Sequence, residues 1–363
     1  KLADEGGHVT IGGGATASEL RFLEPSGGGT GVVAIKAPAL AADYTLTLPV
    51  DDGTPDQVLK TDGSGVLSWT TQSGGGSTPL APGGRLTLTS ATPVLSSDVT
   101  GSTSIYYALY IHDKVPLWDG SSWTYTTYTE LTNTTTDNTV NPAAVGANSN
   151  YDLFVWSDSG TIRLGRGPAW SSDTSRGTGA GTTELERVNG IWLNKVAITN
   201  GPGANRGTYV GTVRSNGASE MDWVATPDAA SGGTEWKLYV WNMYKRVAVG
   251  AMTRDSTDNW TYATATWRAA NNSSTFRVSF VNGLNEDTLT AVYSTFIVVG
   301  DGSANARISV ALDTTSAIGQ LANVVYGTDQ TVSNALYLMQ APTFVGLGGL
   351  GKHFIAGLEY AAG

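Results

Sequence analysis

The sequence contains no cysteine in 363 residues, so neither a disulfide framework nor a thiolate metal site is available to it. That absence agrees with assembly in a reducing cytoplasm. Charged residues make up only 14% of the chain, against about 25% in an ordinary globular protein. The 21 basic residues are scattered rather than striped, and the net charge is −10. A nucleic-acid binder must neutralise phosphates, so no DNA or RNA partner is expected. No apolar run approaches the ~20 residues of a membrane-crossing helix, and no membrane insertion is expected. Helix-forming runs rich in Glu, Lys, Ala and Leu are missing too.

Glycine is abundant, 46 of 363 residues, roughly twice its usual share of ~7%. With Ser and Thr it punctuates many short β-type segments, which makes all-β the expected class. The pattern is clearest over residues 17–69, where alternating apolar and polar residues are cut by turn signals. In residues 43–49, Tyr44, Leu46 and Leu48 alternate with Thr45 and Thr47, as in a strand with one apolar face. Leu20 with Phe22, Val33 with Ile35, and Leu67 with Trp69 repeat it. Some five strands in about fifty residues expose more apolar face than so small a sheet can cover alone. The cover is expected from other copies of the chain, through Leu20, Phe22, Tyr44, Leu46, Leu48 and Trp69.

The run QSGGGSTPLAPGG, residues 72–84, reads as a linker. It divides a β-rich oligomerisation module, residues 1–71, from a head, residues 85–363, with a sub-boundary near residue 250. In the head, strands are expected at residues 85–90, 105–111, 115–118, 122–128, 151–157, 162–165, 190–195, 207–214 and 237–242. An Asp119-Gly120 hairpin should bring Trp118 against Trp123. The spacing suits a β-sandwich or jelly-roll-like head.

The words SELRFLEP, VAIKAPALAADYTLTLP and DDGTPDQVLKTDGSGVLSWT, within residues 15–71, resemble the β-rich module of fibre and tail-fibre-like structural proteins of tailed bacteriophages. RLTLTSATPV, STSIYYALY, VPLWDGSSWTYTTYTEL, NYDLFVWSDSGTIRLGRGPAW, RGTYVGTVR and KLYVWNMYKRV, over residues 85–250, resemble a domain found beside such modules. The resemblance implies an intertwined trimeric β shaft followed by the head. It implies a structural protein of the virion, assembled in the host cytoplasm, with other virion proteins as partners; it does not imply an enzymatic activity, and none is expected. An anchoring segment is expected ahead of Lys1.

Candidate chemistry is thin. Cleaving a glycan requires two carboxylates about 5–10 Å apart beside aromatic platforms. Glu184 with Glu186, Asp255 with Asp258, and Glu286 with Asp287 are the available pairs, but their contexts read as loops and turns. His112 and His353 lie in the head without a serine in a nucleophile-elbow turn. Three copies of His8 about a threefold axis could hold a metal ion, yet a solvated or packed histidine is the expected state. No catalytic residue, metal or cofactor is therefore expected.

Aromatic residues are the stronger signal, because a sugar ring stacks its apolar face on an indole. Trp118, Trp123, Trp241 and Trp267 are expected to be mostly buried. Trp170, Trp223 and Trp260 fall in turn-like contexts and are the expected exposed contacts for a host cell-surface glycan. The expectation is a fibre that attaches to the host through several weak sites. The alternatives are a capsid-decorating or head-fibre protein and, in another class, a glycan-degrading tailspike.

Overall fold

The structure is a computed structural model. It describes residues 19–23, 31–36, 44–55, 57–71, 79–226, 228–299, 305–318, 325–328 and 336–362; His8 and most of the expected linker lie outside them. The chain divides into two compact units, Lys1–Ser77 and Thr78–Gly363. Both are built from strands, with a single 3-10 turn among the described residues. The all-β expectation holds.

In the first unit, β1 (Glu19–Leu23) pairs antiparallel with β2 (Val32–Lys36). Leu20 lies opposite Ile35 and Phe22 opposite Val33. The period of two puts all four on one face. A second ribbon joins β3 (Gln57–Thr61) to β4 (Leu67–Thr71). Its turn is set by Asp62, whose Oδ1 accepts the amides of Ser64 at 2.7 Å and Val66 at 3.2 Å. Gly65 has φ +98°, and a Cβ there would come within 2.2 Å of the Thr45 carbonyl oxygen. Only glycine fits that approach.

The strand expected over residues 43–49 is not formed. Thr47 makes a lone parallel bridge to Val66, with its amide donating to Gly65 O at 2.9 Å. Alternation supplies a strand's side-chain pattern, but a strand also needs a neighbouring edge, and this segment finds one bridge of it among the described residues.

The second unit begins with β5 (Gly84–Thr87), β6 (Val99–Ser102), β7 (Ser104–Leu109), β8 (Lys114–Trp118), β9 (Trp123–Thr127) and β10 (Leu131–Thr134). β7 is the centre of an antiparallel sheet between β10 and β5, while β8 and β9 form the expected hairpin. Trp118 and Trp123 face each other there with ring centroids 5.2 Å apart. Residues 79–84 belong to this unit rather than to a linker. Pro79, Pro82, Gly83 and Gly84 are buried, and Gly83 donates to Lys114 O and accepts from the Ile111 amide.

Next come β11 (Asn150–Asp158), β12 (Thr161–Arg166), β13 (Leu185–Val188), β14 (Ile191–Asn194), β15 (Thr208–Arg214), β16 (Met221–Val224), β17 (Trp236–Leu238) and β18 (Val240–Asn242). β15, buried along its whole length, is the spine of a six-stranded sheet ordered β12-β11-β15-β14-β13, with β18 also on β15. The last third holds β19 (Arg268–Ala269), β20 (Arg277–Asn282), β21 (Thr288–Val292), β22 (Thr295–Val299), β23 (Asn305–Leu312), β24 (Val325–Thr328), β25 (Leu336–Gln340), β26 (Thr343–Leu347) and β27 (Gly351–Ala362). An eight-stranded sheet runs β24-β23-β27-β20-β17-β16-β6, with β19 on β27. β17 and β20 pair in parallel, so this sheet contains strands from both sides of the expected sub-boundary near residue 250.

Strand alternation makes this unit layered and sandwich-like. Leu153, Val155, Val213 and Val240 turn to one side of the six-stranded sheet, against Leu86, Ile105 and Tyr107 of the three-stranded sheet and Val115 of the hairpin. Phe154, Tyr209 and Trp241 turn to the other side, against Val281. A third core gathers Ile308, Val310, Tyr293 and Phe344.

Candidate functional site

The expected shaft contacts can be located residue by residue. Leu20, Phe22, Val33 and Ile35 are between 44% and 69% exposed, on the one face of the β1–β2 ribbon. Tyr44, Leu46 and Leu48 are exposed as well. Trp69 differs from the rest: it is half-buried, its Nε1 donates to Asp51 O at 2.9 Å, and its ring abuts Gly53, where a Cβ would come within 2.8 Å of it. Cover for Trp69 therefore comes partly from its own chain.

Two of the three tryptophans expected at the surface are buried. Trp170 is 6% exposed. Its Nε1 donates to Asp152 Oδ2 at 3.1 Å, and Arg176 stacks over its ring at 4.3 Å. Arg176 itself is held by both oxygens of Asp152 and by Gly283 O. This buried pair needs Trp170 as part of its dry wall, which explains why a turn-like context still encloses the ring. Trp223 is 8% exposed because Met221–Val224 forms β16, buried at all four positions between β6 and β17. Among the tryptophans expected inside, Trp241 is buried, while Trp118, Trp123 and Trp267 are half-buried.

Trp260 lies at a cleft of ≈ 1700 Å³ in the second unit, beyond the roughly 300–1,000 Å³ of a small-molecule pocket. One wall is the irregular segment 246–262 and another is residues 287–298. Trp260 is half-buried, and its Nε1 donates to Glu359 Oε2 at 2.6 Å. Glu359 Oε1 accepts from Arg268 Nε at 2.7 Å, and Arg268 stacks over Tyr262 at 3.8 Å. Arg268 and Glu359 lie directly opposite each other on β19 and β27. With its N–H tied down by this chain of contacts, the indole has a fixed orientation at the cleft.

The cleft's carboxylates are largely committed to structure. Asp255 Oδ1 accepts the amides of Gly232 and Thr257, and Oδ2 accepts from Asn271. Burial pushes its pKa up, but these bonds and that from the Thr257 side chain outweigh burial and hold it below the usual carboxylate value. Asp287 accepts from Trp241 Nε1 and from Arg246, which also pairs with Glu286 at 3.2 Å and stacks over Trp241 at 4.5 Å. Away from the cleft, Glu184 pairs with Lys195 at 2.6 Å, and Glu186 sits in β13. His353 shares 2.6 Å with Asp313, while His112 Nδ1 accepts the Lys114 amide.

Sequence reasoning picked out Trp260 and missed Glu359, Arg268 and Tyr262. The pair of Arg268 and Glu359 spans 91 residues, a separation no local pattern encodes; only Tyr262, two places after Trp260 in the run NWTY, carried a signal. Comparison with known proteins gives no match to a protein-family model, to a curated protein or to a solved structure.

Proposed function

We propose that the chain is a structural fibre protein of a tailed bacteriophage that works as a homotrimer. In this reading the first unit is an intertwined shaft and the second a head that touches the host surface. The observation that carries it is the apolar face of the β1–β2 ribbon, Leu20, Phe22, Val33 and Ile35. Exposed together in water, these side chains forgo roughly 1–2 kcal/mol each that burial would supply. Other copies are the natural cover, and the number three comes from the resemblance to fibre modules. Three linked heads would gain avidity from effective concentration, so each site can be weak.

The head contact is assigned to the Trp260 cleft, with a host cell-surface glycan as ligand. A sugar ring offers an apolar face to the indole and hydroxyls to the polar rim. Binding of the purified protein to host cells, wild type against Trp260→Ala, tests the contact. At least a tenfold loss of binding is expected, with a loss of about 1–3 kcal/mol in unfolding stability because Glu359 Oε2 loses its donor. Unchanged binding would remove Trp260 from the site. Gold-labelled antibody on intact virions tests the location: label at fibre tips is expected, whereas label spread over the capsid would replace attachment with a decorating role.

A further inference from the structure

β21 and β26 pair antiparallel from Thr288↔Leu347 to Val292↔Thr343, and β22 and β25 continue from Thr295↔Gln340. The Tyr293 amide donates to Pro342 O at 3.1 Å between the two pairs. The four strands thus share one register and act as one long two-stranded ribbon. Leu289, Ala291, Tyr293, Ile297 and Phe344 turn inward to the third core. The opposite face carries Val292, Phe296, Val298, Met339, Val345 and Leu347, each between 50% and 71% exposed. The other positions on that face are Thr288, Thr290, Ser294, Ala341, Thr343 and, opposite Val298, Tyr337, so it bears no charge in a chain whose net charge is −10.

We propose that this outer face is a second site of contact between copies of the chain, within the head. The proposal rests on the multi-copy reading given above and adds a place to it. Three features select a second copy as the occupant. The ribbon is only two strands wide, so no further strand pairs with its edges among the described residues. Unpaired edges favour a polypeptide over a lipid or a sugar, because a polypeptide can supply backbone partners. An uncharged face is also where two copies of an acidic chain approach with least repulsion. Finally, the six apolar side chains offer an area on the order of 700 Å² per chain, close to the ~800 Å² per partner of an ordinary stable interface. Val292, Phe296 and Val298 also border the Trp260 cleft, so a copy seated here would wall the cleft on that side.

Hydrogen-peroxide oxidation of the full chain, read at each methionine against its own rate in urea, tests the contact. Met339 is 67% exposed in the single chain, while Met221 is fully buried and reports that the fold is intact. The expected result is at least a fivefold protection of Met339 in a sample shown by sedimentation to contain several copies. Phe296→Asp should abolish that protection and weaken assembly at least tenfold, with Met221 still protected. Unprotected Met339 in a sample that does sediment as an oligomer would overturn this interface and leave the shaft contact standing. A folded monomer in the same sedimentation run would overturn both.

Discussion

At the level of single residues, the fate of the aromatics follows partners distant in sequence. Trp170 and Trp223 sit in stretches whose local composition points to turns, but Asp152 and Arg176 enclose the first, and β6 and β17 the second. Trp260, in a segment that stays irregular in the fold, is half-buried rather than exposed. Arg166 shows the same dependence on distant partners. It is fully buried in the second unit, and its guanidinium donates to Asn133 Oδ1 and to the carbonyls of Thr134, Asp137 and Ala143. Burial pushes its pKa down to about 10, still well above neutrality. Arg166→Ala would strand these acceptors, at about 1–3 kcal/mol for each buried group left unpaired. A loss of about 3 kcal/mol or more in urea unfolding is expected. Arg166→Lys should recover little of it, because an ammonium cannot reproduce the planar fork of donors.

At the level of elements, strands with a clean period of two were readable. β11, β12 and β15 fall within a residue or two of the expected positions. The failures are of pairing rather than of pattern. Residues 43–49 alternate correctly and make only the Thr47 bridge, and the parallel pairing of β17 with β20 carries no signature in either strand. The join between β23 and β27 adds a pH dependence. His353 Nδ1 meets Asp313 Oδ2 at 2.6 Å, and Nε2 meets Leu350 O at 3.0 Å. Two acceptors favour the doubly protonated ring. Burial alone lowers the His353 pKa, but Asp313 and the Leu350 carbonyl together raise it above its ordinary 6.5. Burial raises that of Asp313, but the bonds from His353 and the Phe354 amide bring it below 3.8. The histidine contribution is therefore complete below pH 6.5 and is lost as pH rises through its folded pKa. The aspartate contribution is complete above pH 3.8 and is lost as pH falls. Urea midpoints of wild type and His353→Gln should differ most between pH 3.8 and 6.5 and converge at alkaline pH. A constant difference across that range would assign the effect to packing.

At the level of the whole chain, the division into two units falls in the Gly-, Ser- and Pro-rich run after residue 71, and the second unit includes that run from Pro79 onward. What one sequence could not separate was cover within a chain from cover between chains. In the folded chain Phe22, Val33 and Ile35 are exposed on one apolar face, whereas Trp69 rests on its own Gly53 and Asp51. The central claim is that such faces meet in an assembly of copies. Sedimentation equilibrium of the full chain at low micromolar concentration tests it most directly. The account predicts a single species of three times the 37.8 kDa chain mass; a folded 37.8 kDa monomer under those conditions would contradict it.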